Sequence, residues 1–311
     1  MVKAIALCPG QGAQRVGMGK DLAERFPKAR TVFAAADQAL GVPLSTLMWE
    51  GPADELVLTH NAQPAILVHT LAVHAVIGDR LDLVAAAGHS LGEYSAYAMA
   101  GALTLADAVR LVRRRGELML HAGDERAGAM AAVLGLPGDA VERVCHGESG
   151  DGRIVVAANL NAPDQTVISG DPEAVARAGE RLKAEGAKRV LPLKVSGAFH
   201  SPLMAPAQVG LREALEAVEF RDPRIPIVAN ATGEIVRDAE TARRRLIEQL
   251  TAPVRWVASM ERLGTLADGA TFVELGPGTV LAGLLKRILP GTTGRSVGTA
   301  DEVDTFLAEA A

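Results

Sequence analysis

Short apolar runs alternate with longer amphipathic stretches through the first third of the chain, a rhythm that predicts strands followed by helices. Ala4 to Cys8 reads as a strand leaving its sheet through the glycine-rich loop Pro9-Gly10-Gln11-Gly12-Ala13-Gln14. A helix is expected from Leu22 to Leu40. After the turn at Gly51-Pro52, the segment Asn61-Ala62-Gln63-Pro64 opens another long helix, and Leu83 to Ala87 reads as a central strand. Strands and helices in this alternation predict a parallel α/β sheet.

The rhythm then changes. Strand Ala129 to Leu136, helix Ala140 to Cys145, strand Ile154 to Ala158, strand Gln165 to Ser169, helix Pro172 to Glu185 and strand Arg189 to Val195 follow one another. That order, βαββαβ, predicts a ferredoxin-like unit. The expected organisation is therefore an α/β core from residues 1–126 and 198–311, with a ferredoxin-like subdomain from 127–197 inserted into it. The C-terminal part holds strand Thr271 to Leu275, the turn Gly276-Pro277-Gly278 and a closing helix through Ile288. There are no internal repeats or low-complexity linkers.

Composition narrows the function classes. With 311 residues, 49% hydrophobic and 22% charged, the chain can bury a large core. A net charge of -5 argues against a nucleic-acid partner. Two cysteines, Cys8 and Cys145, make no disulfide framework, and the N-terminus lacks a signal-peptide pattern. His69 and His74 interrupt the apolar stretch Pro64 to Ile77, so no spanning helix is expected. A soluble cytoplasmic protein follows, with Cys8 a small core residue on its strand.

The chemistry begins at Gly88-His89-Ser90-Leu91-Gly92, directly after the apolar run Leu83 to Ala87. This is the G-x-S-x-G arrangement of a nucleophile elbow, in which a sharp strand-to-helix turn exposes the serine hydroxyl, and it makes the larger unit α/β-hydrolase-like. At the helix N-terminus the Leu91 N–H has no helical partner and can donate to an oxyanion.

A serine nucleophile needs a base. His200 lies in Ser196-Gly197-Ala198-Phe199-His200-Ser201-Pro202, with Ser201 expected as an N-cap and Pro202 as the first helical residue, which fixes the backbone beside the imidazole. Local sequence alone leaves open a plain hydrogen bond from His200 to a loop carbonyl. Arg115 shares a helix face with Leu111, Val112, Leu118 and Met119, whereas Arg113 and Arg114 fall on other faces, where solvated charge is expected. A buried guanidinium is costly unless an anion or a hydrogen-bonding cluster satisfies it, and its fork matches a carboxylate, either that of a ligand or that of an internal Asp or Glu. Gln11 offers a neutral donor in the glycine-rich loop that could reach an oxyanion, although loop glutamines are commonly solvated.

Together, Pro9-Gly10-Gln11-Gly12-Ala13-Gln14, Gln63-Pro64-Ala65, Gly88-His89-Ser90-Leu91-Gly92-Glu93-Tyr94-Ser95, Arg115, Gly197-Ala198-Phe199-His200-Ser201 and Gly276-Pro277-Gly278 resemble the malonyl-CoA:acyl carrier protein transacylases, over nearly the whole chain. The resemblance implies Ser90 as nucleophile, His200 as general base and acid, Arg115 as the clamp on the malonyl carboxylate, and Gln11 with the Leu91 amide as oxyanion hole. It implies that a main-chain carbonyl, at Gln249, orients His200. His89, Gln63 and Asn161 line or support the pocket on this reading, with core packing as the alternative.

The same resemblance implies malonyl-CoA as donor, an acyl carrier protein as transient partner bearing the phosphopantetheine, no resident cofactor or metal, and ping-pong kinetics. Leu91 and Ala198-Phe199-His200-Ser201 look like the malonyl-type pattern, with Phe199 filling the space of an α-methyl group; Ala198 and Ala13 depart from the commonest residues there. An acidic carrier would need a basic landing surface, for which Arg113, Arg114, Lys286 and Arg287 are candidates. A monomer is expected, without membrane contact. Fatty acid synthesis is the expected setting; a polyketide pathway, a serine thioesterase or esterase, and a non-enzymatic docking module are the alternatives.

Overall fold

The computed structural model describes residues 1–195 and 197–310; Ser196, the first residue of the His200 loop segment, and Ala311 lie outside the described residues. Ten strands run in chain order: β1 Val2–Cys8, β2 Leu81–Gly88, β3 Ala129–Leu134, β4 Val155–Ala162, β5 Gln165–Gly170, β6 Arg189–Pro192, β7 Ile227–Val228, β8 Ile235–Val236, β9 Thr271–Leu275 and β10 Gly294–Val297. They form a six-stranded sheet of order β10-β9-β1-β2-β7-β8 and a four-stranded sheet of order β4-β5-β3-β6.

The larger sheet is parallel from β10 through β7, and only β8 turns back against β7. Its centre is buried on both faces. On β1, Ala4, Ala6 and Cys8 join the core beneath the helices Thr59–Ile77 and Leu105–Glu125, while Ile5 and Leu7 enter the cluster formed with Trp256, Met260, Leu284 and Leu285. This alternation is the period-two pleat of a strand covered on both sides. Ala85, Ala86 and Ala87 on β2 are fully buried small residues, so the covering helices approach the sheet closely where the elbow emerges.

In the smaller sheet every neighbouring pair is antiparallel. Its strands come from residues 129–192, and in local numbering their order is 2-3-1-4, the ferredoxin-like order expected from βαββαβ. The helices Gly138–Glu148 and Pro172–Ala184 share one face, where Val141, Val144, Val175 and Leu182 meet Val133, Val155 and Ile168. Met130, Ala158 and Val167 belong instead to the main core, which seats this sheet against the larger unit.

Several expected elements differ in detail, each for a local reason. The helix expected over Leu22 to Leu40 is two, Lys20–Arg25 and Pro27–Leu40: Pro27 forces Phe26 out of the helical region, to φ -117° and ψ 113°. The strand expected to reach Leu136 stops at Leu134, because Gly135 turns at φ 93°. That expected to reach Val195 ends at Pro192, which cannot donate to a ladder. Pro202 opens a 3-10 turn, Pro202–Met204, rather than an α-helix, with Ser201 Oγ accepting from Leu203 N at 3.2 Å. The helix through Ile288 does not close the chain; β10 and a helix Ala300–Glu309 follow, the latter opened by a capping box between Thr299 and Glu302. No described helix is long and apolar enough to cross a membrane.

Candidate active site

β2 ends at Gly88, and the next helix, Gly92–Met99, begins four residues on. The glycines are sterically required: a Cβ on Gly88 would lie 1.9 Å from the Gly92 carbonyl carbon, and one on Gly92 would lie 2.2 Å from the Cys8 carbonyl oxygen. Between them Ser90 is held at φ 53°, the left-handed region that non-glycine residues rarely occupy. His200 shares that strain at φ 56°. Of the four described non-glycine residues at positive φ, the other two being Asp151 and Asp268, these two face each other, and strain of this kind gathers at functional sites.

Ser90 Oγ lies 2.8 Å from His200 Nε2, and His200 Nδ1 lies 3.0 Å from the Gln249 main-chain oxygen. A carbonyl oxygen can only accept, so Nδ1 carries the proton and Nε2 presents its lone pair to the serine hydroxyl. Burial, reinforced by the positive charge of Arg115, pulls the His200 pKa down to about 3. The imidazole is therefore neutral and ready to accept. Among the described residues no carboxylate bonds to it.

Arg115 is 1% exposed and makes no ion pair among the described residues. Its guanidinium instead donates to neutral oxygens: Gln63 Oε1 at 2.7 Å, Gln249 Oε1 at 3.0 Å and Ser90 Oγ at 3.1 Å. Its Nε has no partner among the described residues, and its charge sits 5.7 Å from the ring centroid of Tyr94. Desolvation lowers its pKa, which leaves a cation next to the nucleophile without a bonded anion.

Gln11 is exposed, and its Oε1 accepts from Thr59 Oγ1 at 2.9 Å. Thr59 Oγ1 in turn accepts from Gln63 Nε2 at 2.9 Å, which ties the glycine-rich loop to Arg115. The Leu91 amide donates to no described residue. His89 and Asn161 pair with each other at 2.8 Å, His89 lying against Trp256 at 5.3 Å between ring centroids. That pair has no hydrogen bond to Ser90, His200 or Arg115 among the described residues.

Sequence reasoning missed Asn230, Glu93 and the side chain of Gln249. Asn230 Oδ1 accepts from Ser90 N at 2.7 Å while its Nδ2 donates to Gly88 O at 2.8 Å. Gln249 was singled out for its carbonyl, yet its side chain is equally engaged, donating to Ser90 O at 2.9 Å and to Glu93 Oε2 at 2.8 Å. Glu93 is fully buried, and desolvation raises its pKa to about 7. A lone carboxylate three residues after the serine, in a run otherwise destined for burial, was the available signal.

The expected basic surface also changes. Arg113 is half-buried and donates to His60 O at 2.8 Å and to Asn61 Oδ1. Pro64 has no N–H to give to His60 four residues earlier, and Arg113 supplies the missing donor. Arg287 is engaged with Asp164 and, at 2.6 Å, with Gln165. Arg114 and Lys286 remain exposed, Arg114 lying 3.8 Å from Glu117.

The sequence profile of the acyl transferase domain matches residues 6–305. A malonyl CoA-acyl carrier protein transacylase of Bacillus subtilis (strain 168) is 46% identical over 292 residues, covering 93% of this chain and 91% of its own length. This chain belongs to the malonyl CoA-acyl carrier protein transacylase family. Two solved members agree in fold. An acyl carrier protein S-malonyltransferase from Vibrio cholerae superimposes with a TM-score of 0.93 at 40% identity, covering 98% of this chain and 100% of that one. A malonyl-transacylase solved in complex with its type II PKS acyl-carrier protein gives a TM-score of 0.94 at 41% identity, covering 99% and 100%. The family's α/β architecture, a parallel sheet beside a separate antiparallel sheet, is the one described above.

Proposed function

We propose that this transacylase moves a malonyl group from malonyl-CoA to the phosphopantetheine thiol of a holo acyl carrier protein, through a malonyl ester on Ser90. The observation that carries the reading is the buried Arg115 cation beside the hydroxyl of a Ser90–His200 pair, with no carboxylate among the described residues bonded to it. A dicarboxylate half-ester fits both groups at once: its thioester carbonyl at Ser90 and its free carboxylate on the guanidinium fork.

His200 Nε2 takes the hydroxyl proton as Ser90 Oγ forms a bond to the thioester carbon. The resulting oxyanion is held by the Leu91 N–H and by Gln11, whose carbonyl oxygen is occupied by Thr59 so that its N–H groups are left to donate. The tetrahedral adduct collapses, the C–S bond breaks and His200 returns the proton to the departing coenzyme A thiolate. In the second half the carrier thiol gives its proton to His200, its sulfur attacks the serine ester, and Ser90 Oγ leaves with that proton. Arg115 restrains the malonyl ester between the two halves, which favours transfer over hydrolysis. Phe199, buried beside His200, fills the space a larger acyl group would need.

The carrier partner is supported by the family and by the solved complex of a related malonyl-transacylase with its type II PKS carrier protein. Carrier proteins of fatty acid and polyketide assembly present the same thiol, and the reading covers both, with supply of extender units for fatty acid synthesis as the proposed role. Two buried free cysteines fit a reducing compartment, and we infer the cytoplasm. The test is transfer itself: labelled malonyl-CoA and holo carrier protein should yield labelled carrier only with active enzyme, and label released as free malonate at the same rate without carrier would identify a thioesterase.

A further inference from the structure

We infer that Glu93 is a positioning residue for malonyl recognition, acting through the side-chain amide of Gln249 to hold the Arg115 guanidinium in the acyl pocket. The inference rests on the transacylase reading above. Glu93 Oε2 accepts two hydrogen bonds, from Gln249 Nε2 at 2.8 Å and from Asn230 N at 3.0 Å. Gln249 has no freedom to turn its amide over: Nε2 faces Glu93 Oε2, Ser90 O and, at 3.5 Å, Asn230 Oδ1, and Oε1 meets the Arg115 donor at 3.0 Å. Reversing it would set oxygen against oxygen and nitrogen against guanidinium. The carboxylate thus fixes the amide, and the amide fixes the cation.

Among the described residues no carboxylate bonds to Arg115, so its placement depends on neutral acceptors that must themselves be held. Gln63 is held by Thr59 Oγ1 and Met119 Sδ on one side; on the other, Gln249 is held by Glu93. Glu93 Oε1 has no partner among the described residues, so both of its recorded hydrogen bonds converge on Oε2. That detail separates charge from geometry: a glutamine can offer one carbonyl oxygen to the same two donors.

The test compares the malonyl-to-acetyl ratio of kcat/KM for acylation, because of the two acyl groups only malonyl presents a carboxylate to Arg115. Glu93→Leu should lower that ratio about tenfold or more, the size expected for losing one hydrogen bond to a charged group, and Glu93→Gln should restore most of it. Equal loss with both donors, or an unchanged ratio, would overturn the inference as a purely structural role. Gln249→Met keeps the main-chain carbonyl for His200 while cutting the link; it should lower the ratio similarly, and adding Glu93→Gln or Glu93→Leu to it should change the ratio no further. If Glu93→Leu fails to fold, Glu93→Ala takes its place both alone and with Gln249→Met, additive effects overturning the inference. Failure of the parent enzyme to acylate with malonyl-CoA would instead remove the transacylase reading.

Discussion

Arg115 Nη2 stands 3.1 Å from Ser90 Oγ, the oxygen that also lies 2.8 Å from His200 Nε2. On the proposed mechanism one hydroxyl therefore sits between the base that deprotonates it and the cation that selects its acyl donor. Chemistry and specificity thus meet at one oxygen, His200 bearing on the first and Arg115 on the second.

Replacing Arg115 with alanine removes a buried charge whose proposed ligand is a carboxylate. Malonyl transfer should fall about 100-fold or more in kcat/KM, as for loss of a charged, two-pronged contact worth a few kcal/mol. Acetyl transfer should be spared or improved. Steady-state kinetics with both donors reads the two effects, and equal loss with each would count against the clamp.

His200 titrates far below its usual range because it is buried and faces Arg115. Its base form should persist as pH falls through the ordinary 6.5 toward about 3. Single-turnover acylation should accordingly stay level between pH 8 and about 5. In Arg115→Ala the acid limb should move to higher pH, because the Arg115 charge, the largest cause of the depression after burial, is gone. A limb at the ordinary histidine value in the parent enzyme would contradict the account.

Glu93 is displaced in the opposite direction, from 4.5 to about 7, chiefly by desolvation. Through that window the folded state keeps a proton that the unfolded chain has released, so folding stability falls as pH rises from about 4.5 to about 7. His200, lowered from 6.5 to about 3, gives a slope of the opposite sign in an overlapping window. The difference in Tm between the parent and Glu93→Gln should therefore shift in favour of the variant as pH rises from 4.5 to 7. A pH-independent difference would show that Glu93 ionises normally.

Much of this was legible in the chain. The elbow, the apolar face around Arg115 and the βαββαβ order follow from local spacing, because each depends on residues close in sequence. Gln249, Asn230 and Glu93 were harder. The hydrogen bonds of Gln249 and Asn230 to Ser90 and Glu93 join residues far apart in the chain, so neither a period nor a spacing announces them, and Glu93 shows in the sequence only as a lone carboxylate after the serine. The β7–β8 hairpin escaped because two-residue strands carry no alternation. Arg113 was misread because its task, serving the carbonyl left over by Pro64, is set by a proline on another helix.

Gly92→Ala should be among the most damaging small substitutions in the molecule. The added methyl would meet the main chain of β1 at 2.2 Å, where nothing flexible can yield. A loss of about 3 kcal/mol or more in folding stability is expected, in the range of severe overpacking, and denaturant unfolding of the variant measures it.

The central claim is that Ser90 carries the malonyl group between donor and acceptor. Intact mass after brief exposure to malonyl-CoA should show one malonyl adduct, absent in Ser90→Ala, which disappears on addition of holo acyl carrier protein as the carrier gains the same mass. An adduct that decays equally fast without the carrier, or that persists in Ser90→Ala, would contradict it.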